Sequence, residues 1–202
     1  MKRKNSGVSL GRPRAFDVDL ALGRALDLFW RKGYEGTSLS DLTKAMRINR
    51  PSLYAAFGNK EALFRKALDR YAKGPTAYFD KALEATSART VAERFLLGTI
   101  DLLTDPRTPQ GCLIVQSALA CGDAANSIRK ELASRRDAGE AALRRRFQRA
   151  KREGDLPTTA DPADLARYIT TIVHGMAVKG AGGATRPHLL RVMKMAMRAW
   201  PK

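Results

Sequence analysis

The chain has 202 residues and a net charge of +17, because 37 lysines and arginines outweigh 20 acidic residues. Such an excess of positive charge favours a polyanionic partner, most often nucleic acid. The alternatives are an anionic membrane surface and a basic surface that is simply solvated. No apolar run approaches the roughly 20 residues that a membrane span needs, and the N-terminus lacks the apolar stretch of a secretory signal. The two cysteines, Cys112 and Cys121, form neither a disulfide framework nor a metal-ligand spacing, so we expect a cytoplasmic protein without metal, cofactor or membrane association.

The first 14 residues are basic and poor in large apolar side chains, which predicts an arm without a fixed structure in isolation. Arg12 and Arg14 flank Pro13 and would lie on a stiffened, extended segment. Such arginines fit a narrow minor groove, whereas the simpler alternative is a tail that attracts phosphates without specificity.

Residues 37–57 contain two short helical patterns separated by a tight break. Thr37 and Ser38 suit the N-cap of the first helix, and an apolar stripe follows at steps of three and four residues. Asn49 suits the cap of the second helix, and Pro51 fits its first turn. The outward side of the second helix carries small or hydrogen-bonding residues, as the reading of a DNA groove requires. This pattern predicts a helix-turn-helix.

Two further helices are predicted next to this motif, and the first of them is expected to brace it. The first runs from Asp17 to Lys32 and ends at Gly33. The second begins near Lys60, with Asn59 as its cap, and continues towards Tyr71.

Groove chemistry assigns a role to each residue of the motif. Arg50 and Ser52 are expected to read base edges, and Tyr54 to contact a phosphate or a thymine methyl group. The alternatives are that Thr37 and Ser38 are only caps, that Arg50 is a solvated charge and that Tyr54 is partly core. The predicted DNA-contacting residues are Thr37, Ser38, Arg50, Pro51, Ser52, Tyr54, Ala55 and Lys60, with Arg12 and Arg14 of the arm.

Beyond Gly74-Pro75 the chain stays helical in pattern, without the sustained alternation that would predict strands. We place a domain boundary here, which gives an arm at 1–14, a helix-turn-helix domain at 15–73 and a helical domain at 74–202. The whole chain is predicted to be all-α, with about nine helices. The later helices are expected at 91–103, 111–121, 124–151, 162–179 and 189–200.

Residues 37–63 are similar to the DNA-binding signature of the TetR family of bacterial repressors. That signature is specific because its spacing spans three helices, although it covers only the first third of the chain. The family commonly has glycine in the turn, whereas this chain has Arg47. A residue other than glycine is tolerated there if its backbone stays at negative φ, which would make the turn less tight. The matching residues are Thr37, Asp41-Leu42, Ser52-Leu53-Tyr54, Phe57 and Lys60-Glu61-Ala62-Leu63.

The resemblance implies a homodimer that a small-molecule effector releases from a palindromic operator. In the family, the last two helices form a four-helix interface with a second subunit, although the same stripe could face its own core. The residues implied for this interface are Tyr168, Ile172, Met176, Met193, Met197 and Trp200. The residues implied for the effector pocket, whose types fit a cavity and a plain core equally well, are Phe95, Thr99, Cys112, Val115, Leu119 and His174.

Cys112 suggests a more specific hypothesis about how the protein is regulated. It lies at a predicted helix N-terminus, where the dipole favours a thiolate. Together with the distant Lys179, its Gly-Cys-Leu setting resembles an electrophile- and oxidant-sensing branch of the family. The simpler interpretation is a small buried residue, as most free cysteines are.

Two other classes of function are weaker. An enzyme is disfavoured because the chain lacks a nucleophile elbow and a glycine-rich phosphate loop, and a Cys112–His174 dyad would lack an orienting group. An architectural protein that binds duplex DNA through charge alone would lack sequence preference. The helix-turn-helix pattern and the large apolar C-terminal half argue against it. We therefore predict a regulator that binds double-stranded DNA in a sequence-specific manner, and repression rests on the resemblance.

Overall fold

The computed structural model describes residues 16–119 and 125–201, and within these ranges the chain is helical and has no strand. The predicted arm with Arg12 and Arg14, and the second cysteine, Cys121, lie outside the described residues. The all-α prediction is confirmed. Ten helices form in the described ranges: α1 (Val18–Lys32), α2 (Leu39–Met46), α3 (Arg50–Phe57), α4 (Lys60–Lys73), α5 (Tyr78–Leu83), α6 (Ala88–Thr104), α7 (Leu113–Leu119), α8 (Asn126–Arg152), α9 (Pro162–Ala181) and α10 (Arg186–Arg198).

Local capping explains where the first four helices begin. The Asp17 carboxylate accepts hydrogen bonds from the first turn of α1, and Ser38 and Asp41 form a reciprocal capping box at α2. The side-chain oxygens of Asn49 and Asn59 each accept a backbone N–H bond of 2.8 Å, from the third residues of α3 and α4 respectively. Both asparagine caps were predicted, and both are confirmed.

The turn between α2 and α3 differs from the prediction. Arg47 ends α2 with φ 58° and ψ 43°, which is the left-handed region, so the expectation of a negative φ was wrong. Its N–H donates to the carbonyls of Thr43 and Lys44, and this closes the tight C-terminal turn that glycine usually provides. The turn is therefore as tight as in a glycine-bearing sequence, at the cost of strain in a residue with a Cβ.

The first hydrophobic cluster contains residues of α1 to α4 together with residues of α7 and α8. Phe29, Phe64 and Tyr71 lie fully buried in it, and Leu113 of α7 and Ile128 of α8 belong to the same cluster. The N-terminal helices therefore pack directly on elements of the C-terminal half.

The second cluster is formed by α5, α6, α9, α10 and the end of α8. Arg146 is buried here, and its guanidinium donates to the carbonyls of Leu83, Ala85 and Thr86. These bonds satisfy backbone groups at the end of α5. Since α8 contributes Phe147 to this cluster as well as Ile128 to the first, one continuous helix connects the two. Among the described residues no helix is both long and apolar enough to cross a membrane.

Candidate functional site

The surface of α3 combines an anchored inner face with an open outer face. Leu53 and Phe57 are buried, whereas 48% of Tyr54 is exposed. The other outward residues, which are exposed except for the half-buried Ser52, are Arg50, Pro51, Ser52 and Ala55. The structure thus places the predicted base-reading residues in the first turn of one helix, whose N-terminus is accessible.

Thr37 is placed differently from its predicted role. It is fully buried, with 0% of its surface exposed, and its hydroxyl donates a 2.7 Å hydrogen bond to the Gly33 carbonyl. The hydroxyl predicted to contact a phosphate is therefore occupied inside the protein, where it ties the end of α1 to the start of α2. Ser38 stays exposed, and its Oγ accepts the Asp41 N–H at 3.0 Å.

The Asp41 carboxylate stabilises the start of α2 electrostatically. Hydrogen bonds from the Ser38 backbone and from Lys32 lower the pKa of the Asp41 carboxyl. The carboxylate lies 3.2 Å from the Lys32 ammonium and at the positive end of α2. The start of α2 is therefore held by a charge network as well as by its cap.

Lys60 occupies the first position of α4, next to the exposed N–H groups of that helix. Its ammonium lies 4.4 Å from the ring centroid of Tyr34, in a cation–π arrangement. Burial lowers the pKa of Lys60, and the negative charge of Glu35 partly opposes this. A positive side chain at the positive end of a helix is a place where an anion such as phosphate is stabilised.

Two exposed cations were not assigned a role from the sequence. Lys44 and Arg47 both lie at the end of α2, beside the turn that leads into α3. The signal that could have identified them is their position in the break of the helix-turn-helix, where side chains flank the groove-facing helix.

A cavity of about 400 Å³ lies among α5, α6, α7, α8 and α9. Most of the predicted effector-pocket residues line it, namely Phe95, Thr99, Cys112, Val115 and His174. The side chain of Leu119 lies outside the described part of the structure. The wall also contains residues that the sequence did not indicate, because they come from helices far apart in the chain: Tyr78, Phe79, Arg136, Glu140 and Thr170.

Polar groups of the cavity wall form short, local networks. The hydroxyls of Tyr78 and Thr99 lie 3.1 Å apart, and the Thr170 hydroxyl donates to Glu140 at 3.0 Å. Burial lowers the pKa of His174; the positive charge of Arg136 acts in the same direction, and the negative charge of Glu140 opposes them. His174 is therefore a neutral hydrogen-bonding group at neutral pH.

Cys112 lies in the wall next to a buried phenol. The Tyr71 hydroxyl donates to the Cys112 sulfur at 3.5 Å, and burial raises the pKa of Tyr71 well above its ordinary value. The Cys112 carbonyl accepts the Gln116 N–H at the start of α7, so the residue stands at a helix N-terminus as predicted.

The last two helices present a different apolar face from the predicted one. Met176, Met197 and Trp200 are buried in the core of their own subunit, with Trp200 edge-on to Phe147 at 5.4 Å. These three side chains have no surface left for a partner, so the prediction that they form the dimer interface was wrong. Tyr168 is exposed, and Ile172 and Met193 are half-buried. The large apolar residues that do reach the surface here are Val178 (50% exposed), Val192 (44%) and Met195 (62%).

The fold and the site define a DNA-binding protein with an N-terminal helix-turn-helix and a helical domain that contains a cavity. The family described as Bacterial regulatory proteins, tetR family, matches residues 21–67, and the one described as Tetracyclin repressor-like, C-terminal domain, matches residues 93–194. The chain belongs to the TetR family of transcriptional regulators.

Individual relatives agree along nearly the whole chain. The HTH-type transcriptional repressor ComR of Escherichia coli is 34% identical over 196 residues, which cover 96% of this chain and 93% of that protein. The uncharacterized HTH-type transcriptional regulator YezE of Bacillus subtilis is 34% identical over 162 residues, covering 79% and 84% respectively. A solved structure of a cysteine mutant of the TetR family regulator CifR, complexed with 26bp double-strand operator DNA, is 42% identical with a TM-score of 0.91 and covers 95% of this chain and 100% of that one. The protein is accordingly a DNA-binding transcriptional regulator.

Proposed function

We propose that this protein is a homodimeric repressor that binds a palindromic operator and leaves it when a small molecule occupies the cavity. The observation that carries the proposal is the exposed outer face of α3, which is held at the surface by the buried Leu53 and Phe57. The naming of ComR as a repressor and the operator complex of CifR support the direction of regulation and the type of DNA.

The DNA contacts follow from the geometry of α3 and its neighbours. Arg50 and Ser52 lie at the N-terminal end of α3, where a recognition helix reaches base edges in the major groove. Ser38 and Lys60, at the N-termini of α2 and α4, would bind the phosphates on either side. The exposed Lys44 and Arg47 add positive charge next to the same groove.

The dimer would form through α9 and α10. The outward positions of α9 recur at steps of three and four residues, so they form one stripe. A Cβ added at Gly175 would meet no atom within 4 Å, which leaves room for a partner helix to approach closely. Exposed large apolar side chains beside it are the material that a subunit interface buries. The proposed interface comprises Tyr168, Thr171, Gly175, Val178, Val192 and Met195.

Release requires the effector to favour one arrangement of the two halves. The cavity is walled by α7 and α8, and both helices also contribute to the cluster that holds the N-terminal helices. A ligand that prefers the non-binding arrangement by a few kcal/mol would shift the population away from DNA. The division at residue 74 into a DNA-binding part and an effector part remains part of this proposal.

Selection from random duplexes tests the proposed DNA recognition directly. The wild-type protein, the Ser52→Ala/Tyr54→Ala variant and a Ser134→Ala control would be compared at about 150 mM salt, where weak phosphate binding is suppressed. Ser134 is exposed on α8, so the control removes a hydroxyl away from α3. The wild type and the control should enrich a palindrome, and the double variant should lose it while keeping background binding.

A failure of this selection would be informative. If no motif is enriched and the affinity follows only the salt concentration, the protein binds DNA through charge alone, and the architectural function replaces the proposed one.

A second candidate is release by covalent modification of Cys112, and the observation that favours it is the position of its sulfur in the cavity wall beside the Tyr71 hydroxyl. Alkylation by iodoacetamide would add bulk at the start of α7 and weaken operator binding. The Cys112→Ser variant should lose this response, and Cys121→Ser should keep it. Unchanged operator affinity with Cys112 shown by mass spectrometry to be alkylated would contradict this candidate.

A further inference from the structure

One cavity-lining cation has an unpaired, buried donor. The Nη1 atom of Arg136 is buried and has no hydrogen-bond partner among the described residues. Arg136 lies in the cavity wall, on the side formed by α8. Arginine stays protonated in proteins, so this donor cannot reduce its desolvation cost by losing the charge. A buried donor without an acceptor is unfavourable, and a ligand that supplies the acceptor removes that cost.

Neighbouring arginines differ from Arg136. Arg135 also reaches the cavity, but its guanidinium donates to Asp69 at 2.6 Å and to Glu131 at 2.8 Å. Arg146 has a buried Nη1 without a partner too, yet its other nitrogens bind three backbone carbonyls and it does not line the cavity. Of these three arginines, Arg136 is the one that combines an unpaired buried donor with a place in the cavity wall.

Two acidic residues line the cavity, Asp80 and Glu140, and in the described part of the chain neither forms an ion pair with Arg136. Glu140 lies one helical turn further along α8, and its carboxylate accepts the Thr170 hydroxyl at 3.0 Å. Among the described residues Arg136 and Glu140 form no ion pair within 4.0 Å. The positive charge thus remains available to a molecule that enters the cavity.

The apolar part of the cavity wall determines what kind of ligand body fits beside the charged group. Phe79, Phe95 and Val115 make most of the surface apolar, so the body of the ligand should be apolar. His174 stands beside Arg136 and can donate one hydrogen bond without adding charge. We infer that the effector is a small monocarboxylate with an aromatic or aliphatic body, and that Arg136 binds its carboxylate.

This inference rests on the proposed function, since it names the ligand of the proposed effector cavity. Other ligand types fit less well. A neutral ligand would leave the charge of Arg136 without compensation, and a cation would be repelled by it. A dianion would meet the negative charge of Glu140 in the same cavity.

Calorimetric titration of the full-length protein with matched acid and amide pairs tests the inference. The probes are 4-phenylbutanoate, decanoate and indole-3-acetate, each compared with its primary amide, which has nearly the same shape and no charge. At least one acid should bind about tenfold or more tightly than its amide, as expected for a charge-assisted hydrogen bond. Arg136→Gln should remove the preference. Arg144→Gln, which deletes an exposed charge on the same helix, should keep it.

Each possible result either supports or overturns the inference. Equal affinity for acid and amide, binding by none of the acids, or an unchanged preference in a folded Arg136→Gln variant overturns it; circular dichroism checks the fold of each variant. Calorimetry needs no DNA, so the inference and the proposed function fail separately. An acid preference that Arg136→Gln removes, without any selected palindrome, sustains the anion site and overturns the repressor. A selected palindrome without an acid preference sustains the repressor and overturns the anion site.

Discussion

The indole nitrogen of Trp30 donates a 2.9 Å hydrogen bond to the carbonyl of Gly111. Trp30 belongs to α1, and Gly111 immediately precedes Cys112 in the cavity wall. Trp30 also packs edge-on to Tyr71 at 4.7 Å, and Tyr71 in turn bonds to the sulfur of Cys112. One side chain of the DNA-binding part is therefore joined to the segment that enters the cavity wall.

Trp30→Phe should destabilise the protein, because the buried Gly111 carbonyl loses its donor. The expected cost is about 1–3 kcal/mol in the free energy of unfolding from the hydrogen bond, in addition to the lost ring volume. Urea denaturation measures it. Trp200→Phe is the matched control, since it removes similar volume from the second cluster without touching Gly111. Equal losses in the two variants would show that the hydrogen bond contributes little.

Arg47→Gly should raise stability. Arg47 is held at φ 58°, where a Cβ costs roughly 1 kcal/mol and glycine has no such penalty. The free energy of unfolding should increase by about 0.5–1 kcal/mol, whereas Arg47→Ala, which removes the charge but keeps the Cβ, should give no gain. If alanine stabilises as much as glycine, charge repulsion and not backbone strain is the dominant effect at this position.

Substitutions on the outer face of α9 and α10 should separate the subunits. Val178→Asp/Met195→Asp places two charges on the face that we propose to be buried in the dimer. Sedimentation velocity should show a monomer, while Leu20→Asp, which changes an exposed apolar residue of α1, should leave the dimer intact. A dimer that survives the double substitution would place the interface elsewhere.

Two helical glycines should respond oppositely to alanine. A Cβ at Gly139 meets no atom within 4 Å, so Gly139→Ala in α8 should add about 0.5–1 kcal/mol through helix propensity. A Cβ at Gly98 would collide with the ring of Tyr78, so Gly98→Ala in α6 should destabilise. Thermal or urea unfolding of both variants checks this. Similar shifts at the two sites would mean that α6 and α5 separate without cost.

Stability should decrease as the pH falls below the ordinary histidine pKa of 6.5. Burial, with the charge of Arg136, lowers the pKa of His174 despite the opposing Glu140, so the unfolded chain binds a proton that the folded chain does not. The loss proceeds from 6.5 down to the folded pKa, with a slope of at most about 1.4 kcal/mol per pH unit. Urea unfolding of His174→Gln should depend less on pH in this window, and the exposed His188→Gln control should behave like the wild type. Identical pH profiles for all three proteins would contradict this account of His174.

Interactions between near neighbours could be predicted from the sequence. Asn49 and Asn59 cap helices because each oxygen binds an N–H three residues later, and the helix-turn-helix follows from a spacing of a few turns. The side of each helix that carries apolar residues was also readable. These are local properties, so they do not depend on how the helices are arranged.

Only the tertiary structure decided which of several apolar side chains are covered and which polar ones enter the core. Met195 and Met197 lie two residues apart on α10, yet Met197 is buried and Met195 is 62% exposed. The reason is that neighbouring helices of the same chain cover only one side of the broad apolar face of α10. Arg146 finds its carbonyl acceptors about 60 residues away in the chain, and Trp30 finds Gly111 at a separation of 81. No local pattern encodes such pairs, since they exist only once distant helices are packed together.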